Sequence, residues 1–152
     1  MKYRNEITID LPRSTLIEKL DNPDNMKHWQ RGLIGYKLLN EEDPGAVGAQ
    51  MELEYKMGKR QMIMTETITK RDFPGEFHAT YDAKGVHNIQ QNFFEEVDAQ
   101  STKWVSESEF QFASFGMKLM GWLMPGAFKK QSLKYMMDFK NFAEKGVSVA
   151  DG

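Results

Sequence analysis

Residues 125–145 read PGAFKKQSLKYMMDFKNFAEK and form the longest unbroken helical pattern in the chain. One face recurs at steps of three and four and comprises Phe128, Ser132, Tyr135, Met136, Phe139, Phe142 and Ala143. The opposite face is polar and comprises Lys130, Lys134, Asp138, Asn141 and Glu144. Pro125 suits a first helical position, and Gly146 suits a left-handed stop just past the end. The pattern predicts a helix over 125–145 with one buried face and one exposed face.

The buried face of this helix is large and aromatic, but it also carries Ser132 and Gln131. A dry core disfavours such groups, because burying an unpaired amide or hydroxyl costs roughly 1–3 kcal/mol. We therefore expect this face to form one wall of a cavity.

Length and composition limit the class of protein. A chain of 152 residues suits one domain, which we place at 1–146, followed by a flexible tail at 147–152. The absence of cysteine excludes disulfides and thiol chemistry, and it fits a reducing compartment. The chain begins like a strand rather than a secretory signal, and no apolar run reaches the roughly 18 residues of a membrane span.

The net charge of −2 lacks the basic excess of a nucleic-acid binder. We therefore expect a cytoplasmic monomer or weak homodimer, with no nucleic-acid partner and no stable membrane insertion.

A hydrophobic period of two predicts a strand over Lys2–Leu11 and continues from Gly32 to about Phe112, with turn residues between the segments. The six further strands are Leu33–Glu42, Val47–Met57, Gln61–Arg71, Glu76–Ala83, Val86–Val97 and Thr102–Phe112. Their short connections favour antiparallel neighbours.

Two short helices are expected between the first two strands, over Arg13–Leu20 and from Pro23 to about Trp29, the second capped by Asn22. A bent sheet with one apolar face and a long helix with one apolar stripe can bury both by wrapping the sheet around the helix. The sequence thus predicts an α+β fold of order β-α-α-β6-α, with seven strands curved around the C-terminal helix.

Polar side chains accompany the aromatic ones on the strands expected to face inward. Ser106 and Ser108 share a face with Trp104 and Phe110. In Val86–Val97 the inward groups are either Asn88, Gln90 and Asn92, or His87 and Gln91. These groups fit a satisfied internal network and a polar pocket equally well. The eleven methionines likewise fit either core filler or an adjustable apolar pocket.

An apolar segment, Phe115 to Met124, joins the last strand to the long helix and has Lys118 as its one charged residue. Three interpretations stay open: a plug of the sheet's open end, a mobile lid, or a surface that touches a membrane or partner. As a lid, its main residues would be Phe115, Met117, Leu119 and Trp122.

This arrangement resembles the helix-grip fold of the START-like, or Bet v 1-like, superfamily. It is most similar to the bacterial polyketide cyclase/dehydrase and lipid-transport branch, the SRPBCC proteins. The resemblance covers nearly the whole chain and is carried by ITIDLPRSTLIEKLDNPDNMKHW at 7–29, by residues 48–55, by the strand start at 101–104 and by the long helix.

The resemblance implies a hydrophobic cavity between helix and sheet that binds lipids, sterols, polyketides or aromatic metabolites. We expect a carrier or sensor of such a molecule, with no cofactor. The predicted ligand contacts are Trp29, Tyr55, Phe77, Tyr81, Trp104, Phe110, Ser132, Tyr135 and Phe139.

Recognisable catalytic and metal motifs are missing from the sequence. The three histidines, His28, His78 and His87, have no metal-ligand spacing, so we predict no metal site; His78 should face solvent. A cyclase or dehydratase would need an acid/base group, for which the sequence offers Tyr55, Tyr81, Glu66 and His87 without selecting one. A module that binds a protein partner, as in chaperone-activating relatives, is the third possibility.

Overall fold

The computed structural model describes residues 1–40 and 43–151. Its strands are β1 Lys2–Ile9, β2 Leu33–Leu38, β3 Gln50–Met57, β4 Arg60–Asp72, β5 Glu76–Ala83, β6 Val86–Asp98 and β7 Ser101–Phe112. Its α-helices are α1 Arg13–Leu20, α2 Met26–Trp29, α3 Phe115–Leu123 and α4 Pro125–Lys145. Short 3-10 turns cover Pro23–Asn25 and Val149–Asp151. The predicted α+β fold is confirmed, with one further helix, α3, in the apolar segment between the last strand and the long helix. The predicted ends of the second strand at 41–42 and of the tail at 152 lie outside the described residues.

All seven strands form one antiparallel sheet in the order β1-β7-β6-β5-β4-β3-β2. The first strand, β1, therefore forms one edge of the sheet and pairs with the last strand, β7, and β2 forms the opposite edge. β3 begins three residues later than predicted, at Gln50, because the Ala49 N–H still closes a turn on the Ala46 carbonyl.

α4 begins and ends where the sequence predicts, with Gly146 in the left-handed conformation at φ 70°. Met136, Phe139 and Ala143 of the predicted stripe are buried. Asp138 was predicted on the exposed face and this was wrong: it is only 7% exposed. It borders the stripe, and Arg31 covers it with two hydrogen bonds of 2.8 and 3.2 Å.

The main hydrophobic core occupies one end of the space between α4 and the sheet. Its fully buried centre is Ile9, Leu16 and Phe139, to which Phe94 and Trp104 add their rings. A smaller cluster on β3 and α2 contains Met26, Met51, Leu53 and Tyr55. The rest of the inner face is covered less completely.

α3 contacts the sheet through Gly121 and Met117, whereas its largest side chains stay exposed. A Cβ on Gly121 would lie 2.9 Å from Phe112 Cε2, and Met117 Sδ approaches Gly85. Phe115 and Trp122 remain 80% and 76% exposed. The segment is therefore not a core plug. None of the helices among the described residues is long and apolar enough to cross a bilayer.

Candidate functional site

The antiparallel register aligns the inner side chains in rows that cross the sheet. One row runs through Phe110, Asn88, Tyr81, Glu66 and Met51. The next runs through Tyr3, Ser108, Gln90, Ala79 and Ile68. Polar groups that are far apart in sequence thus form a band between the aromatic residues on the inner face.

Most of the buried amides in this band are satisfied by the protein. The Trp104 indole N–H donates to Asn92 Oδ1 over 3.0 Å. Gln90 Nε2 donates to Asn88 Oδ1 at 2.9 Å, and Asn88 Nδ2 donates to the Glu109 carbonyl at 3.1 Å. Of the two faces that the sequence left open for β6, the structure turns Asn88, Gln90 and Asn92 inward and satisfies them largely as a network.

α4 is tied to β1 by polar contacts at its N-terminal half. The hydroxyls of Tyr3 and Ser132 are hydrogen-bonded, and Asn5 Nδ2 donates to the Lys129 carbonyl at 2.9 Å. Burial raises the pKa of the Tyr3 phenol, so this hydroxyl stays protonated. Ser132 therefore fixes the helix to the sheet edge in this structure.

Glu66 and Tyr81 form a carboxyl–phenol pair at the centre of the inner face. The Tyr81 hydroxyl donates to Glu66 Oε2 at 2.8 Å. Burial raises the pKa of the Glu66 carboxyl, and burial together with the Glu66 charge raises the pKa of Tyr81 far above its usual range. Within residues 1–40 and 43–151, Tyr81 is the one side chain that hydrogen-bonds Glu66.

Tyr55 and Tyr135 lie near this pair on the neighbouring elements. The Tyr55 hydroxyl donates to Gln30 Oε1, and its pKa is raised by burial and by the proximity of Tyr135 and Glu66. Burial also raises the pKa of Tyr135 on α4. The Glu66 carboxyl is thus bonded by the Tyr81 phenol and lies near Tyr55, which in turn lies near Tyr135 on α4.

The inner face is covered more completely at one end than in its middle. Phe139 and Phe94 are buried, whereas Glu66, Tyr81 and Gln90 keep part of their surface accessible although they lie in the middle of the sheet. The polar band is therefore less completely covered than the core around Phe139.

Two of the pockets in the described part of the chain bear on the site. The larger is an open depression of about 370 Å³ outside α2, between Lys27, Leu33, Lys56 and Val149. The smaller is about 10 Å³, roughly the space of one water, and lies beside Glu66 and Met51. Neither pocket is the enclosed cavity that the sequence predicts between α4 and the sheet, so that cavity remains a prediction.

The nine predicted contact residues fall into three groups. Trp29 and Trp104 pack edge-on against Phe139, with centroids 5.3 and 5.5 Å away, and Phe77 adjoins that core. Phe110 and Ser132 meet Tyr3 at the opposite end. Tyr81 bonds Glu66, and Tyr55 lies near both Glu66 and Tyr135.

The importance of Glu66 among the four acid/base candidates was not evident from sequence. Its inward direction could have been inferred from its alternation with Met64 and Ile68 in β4. Its pairing with Tyr81 could not, since that depends on the β4–β5 register. Gln30, the partner of Tyr55, had no sequence signal.

The histidines lie away from this site. The expectation that His78 faces solvent was wrong: it is on the outer face but 9% exposed, because the ring of Phe93 covers it at 5.1 Å. His87 pairs with Asp82 on the same outer face. His28 Nδ1 lies 2.8 Å from the Ser148 hydroxyl of the tail. No three acidic or histidine side chains of the described residues are arranged to hold a metal ion.

Known structures share this arrangement of sheet and helices. ZhuI aromatase/cyclase from Streptomyces sp. R1128 aligns with a TM-score of 0.74 at 15% identity, over 100% of this chain and 98% of that one. Ara h 8.0201 aligns with a TM-score of 0.72 at 12% identity, over 94% and 97% of the two chains. The chain therefore has the same helix-grip fold as these structures.

Another helix-grip structure is norcoclaurine synthase from Thalictrum flavum, in complex with dopamine and hydroxybenzaldehyde. It aligns with a TM-score of 0.66 at 12% identity, over 92% of this chain and 83% of that one. No protein-family model matches the sequence, and no curated protein matches it significantly. At these identities the likeness establishes the helix-grip fold alone, and the function depends on the residues between α4 and the sheet.

Proposed function

We propose that this helix-grip protein binds a hydrophobic or aromatic small molecule in a groove between α4 and the inner face of the sheet, as a carrier or sensor. The main support is the partial exposure of Glu66, Tyr81 and Gln90 in the middle of a sheet whose other end is fully packed around Phe139. Binding sites of this kind combine apolar walls with a few polar groups that fix orientation.

The walls of the groove have the required chemistry. Phe110 and Phe128 bring their rings within 5.1 Å of each other across the sheet and α4, and Met64 adds a flexible apolar side chain. The Glu66–Tyr81 pair supplies the polar group. A ligand would displace solvent from aromatic surface and place its own polar group at the carboxyl.

The test is a thermal-shift screen of fatty acids, sterols and flavonoids on the purified protein, with mass spectrometry of any co-purified molecule. A filling variant, Gln90→Trp, places an indole in the groove, and Gln91→Trp places the same group on the exposed outer face as the control. Binding should stabilise the parent and Gln91→Trp but not Gln90→Trp. If no compound stabilises the parent and none co-purifies, or if Gln90→Trp responds like the parent, the proposal fails.

A second candidate function is acid–base catalysis of the cyclase type, for which the Glu66–Tyr81 pair is the specific support. A buried carboxyl with a raised pKa is a better general base near neutral pH than an exposed one. Glu66 would take a proton from a carbon next to a ketone, and the Tyr81 hydroxyl would donate a hydrogen bond to the resulting enolate oxygen.

This reaction can be followed without the natural substrate. The α-protons of 1-(naphthalen-2-yl)propan-2-one exchange with deuterium in D2O, and NMR measures the rate. A catalyst should accelerate the exchange, and Glu66→Gln should abolish the acceleration while the ketone still binds. Equal exchange in the presence of the parent and of Glu66→Gln would exclude this function and leave the binding proposal standing.

A further inference from the structure

We propose that Glu66 recognises a protonated amine, so that the ligand of the groove is an aromatic or apolar amine rather than a neutral or acidic compound. This inference rests on the proposed binding function and names its ligand class. It is drawn from the groups that surround the carboxyl of Glu66.

The carboxyl of Glu66 has no cationic partner among the described residues. Its one hydrogen bond comes from the neutral Tyr81 hydroxyl. Burial raises the pKa of the Glu66 carboxyl, and the bond from Tyr81 offsets part of that rise. A carboxylate taken out of water is destabilised unless a positive charge or several hydrogen bonds replace its hydration. An ammonium group at Oε1 would supply both.

Two cations of neighbouring elements are engaged with other groups. Arg31, which lies near Tyr135, is bonded to Asp138 at 2.8 Å. Lys140, further along α4, binds Glu144 and the Thr8 carbonyl. The positive charge that Glu66 lacks therefore has no source in these contacts and can be brought by a ligand.

The aromatic surroundings of Glu66 favour the same class of ligand. The Tyr81 hydroxyl bonds the Glu66 carboxyl directly, and Tyr55 of β3 lies close enough for the Glu66 charge to raise its pKa. Aromatic rings attract cations, and ammonium groups are often bound beside them. The carboxyl supplies the charge, and these tyrosines supply aromatic surface for the apolar part of the ligand.

A matched set of probes tests the proposal: 2-(naphthalen-1-yl)ethylamine, 2-(naphthalen-1-yl)ethanol and naphthalen-1-ylacetate. They share one aromatic body and differ mainly in the charge of the polar group. The amine should bind at least about ten-fold more tightly than the alcohol, a difference that one charged hydrogen bond can supply. The carboxylate should bind most weakly, because its charge repels that of Glu66.

Glu66→Gln should remove the preference for the amine, because the amide keeps the size of the carboxyl but not its charge, so that amine and alcohol bind within about three-fold of each other. Acidification gives a second test that needs no variant: the parent should lose affinity for the amine as Glu66 becomes protonated, and affinity for the alcohol should stay constant. Tyr55, Tyr81 and Tyr135 remain protonated throughout, because their pKa values are raised.

Equal affinity for amine and alcohol would overturn this inference and leave the binding function intact. Binding of none of the three probes would overturn both. A preference for the amine that persists in Glu66→Gln would place recognition elsewhere and would also overturn the inference.

The pole of the molecule that is formed by α3 and the first turns of α4 exposes several large apolar side chains. We infer that this pole adsorbs to the surface of an anionic lipid membrane. Phe115, Trp122 and Leu123 are 80%, 76% and 64% exposed there. Exposed apolar groups at this density are unusual for a protein that stays in solution alone.

The charge of the same segment identifies the partner. Residues 110–137 contain no aspartate or glutamate and include Lys118, Lys129, Lys130 and Lys134, in a chain of net charge −2. Each lysine near an anionic bilayer contributes about 1 kcal/mol, and Trp and Phe side chains insert at the headgroup level. A second copy of this chain would bring four further lysines to the same contact, which disfavours self-association through this pole.

Co-sedimentation with vesicles tests this inference. The protein should bind vesicles of phosphatidylcholine with phosphatidylglycerol, bind pure phosphatidylcholine at least about five-fold less, and dissociate at high salt. Trp122→Ser, and separately Lys129→Glu with Lys130→Glu, should reduce binding. Val97→Ser is the control, since Val97 is 57% exposed on β6 at the end where the strand leads into β7, away from α3.

Three results would overturn the membrane inference. They are no vesicle binding, equal binding to neutral vesicles, and an equal loss in Val97→Ser. Self-association that Trp122→Ser abolishes in size-exclusion chromatography would instead assign the pole to a second copy of the chain.

Discussion

Trp104 Nε1 donates a hydrogen bond to Asn92 Oδ1 over 3.0 Å, and both side chains are almost completely buried. This bond joins β7 to β6 at the boundary between the packed core and the polar band. On the core side, Trp104 meets Phe94 and Phe139. On the other side lie the groups that face the groove.

Replacing Asn92 with alanine should destabilise the protein by about 1–3 kcal/mol, because the indole N–H of Trp104 would remain buried without an acceptor. The control is Gln91→Ala on the exposed outer face, for which a change within about 0.5 kcal/mol is expected. Urea unfolding of both variants measures the difference, and equal stabilities would show that this bond contributes little.

The raised pKa of Glu66 predicts a specific dependence of stability on pH. The native state keeps the Glu66 proton at a higher pH than the unfolded state does, so this group lowers the free energy of unfolding as pH rises from the ordinary value of 4.5 towards the native pKa. Above the native pKa the effect is constant. Glu66→Gln removes it, so the parent should lose stability relative to this variant across that window.

Urea unfolding of the parent and of Glu66→Gln between pH 4 and 8 measures this difference, in which most other titrating groups cancel. Glu96→Gln, at an exposed position of β6, provides the control for the chemical change itself. A constant difference between Glu66→Gln and the parent would contradict the burial of the Glu66 carboxyl.

Two glycines of α3 should respond to alanine in opposite ways. A Cβ at Gly121 would lie 2.9 Å from Phe112 Cε2, whereas a Cβ at Gly116 would meet no atom within 4 Å. Gly116→Ala should stabilise α3 by up to about 1 kcal/mol through helix propensity, and Gly121→Ala should loosen its contact with β7. Amide hydrogen exchange of α3 distinguishes them; increased protection in Gly121→Ala would show that α3 does not rest on Phe112.

The pair Arg31–Asp138 should contribute more to stability than an ordinary surface pair. Arg31→Gln would leave a 7% exposed carboxylate without its cation, at a cost of about 1–3 kcal/mol. The control is Arg4→Gln, which breaks a surface pair with Glu6 and should cost less than about 1 kcal/mol. Combining Arg31→Gln with Asp138→Asn should recover part of the loss, and no recovery would argue against direct coupling.

The fold was predictable from sequence where one physical signal dominated. The 3.6-residue period of α4 lies between Pro125 and Gly146, and these residues determine both ends of the helix. The faces of β3 could be predicted because apolar and polar residues alternate strictly, and in β7 the charged Lys103, Glu107 and Glu109 mark the outer face. In β6 both faces carry polar groups, so only the pairing with β5 and β7 decides that Asn88 and Asn92 point inward.

The details of the site were less predictable because they depend on contacts distant in sequence. Asp138 follows Tyr135 by three residues and precedes Phe142 by four, so it lies at the edge of the stripe, and Arg31 decides its burial. His78 is covered by Phe93 from the neighbouring strand. The apolar composition of α3 did not reveal what it faces, since an apolar segment fits a core, a lid or a binding surface equally well.

Methyl NMR of the eleven methionines, with 2-(naphthalen-1-yl)ethanol as the ligand, tests the central claim of a binding groove most directly. Met64 and Met51 lie on the inner face near Glu66, whereas Met137 points away from the sheet and Met120 lies on exposed α3. Occupation of the groove should shift the signals of Met64 and Met51 in a saturable manner and leave Met137 unchanged. Shifts confined to Met120 and its neighbours on α3, or no saturable shift at all, would contradict a ligand site between α4 and the sheet.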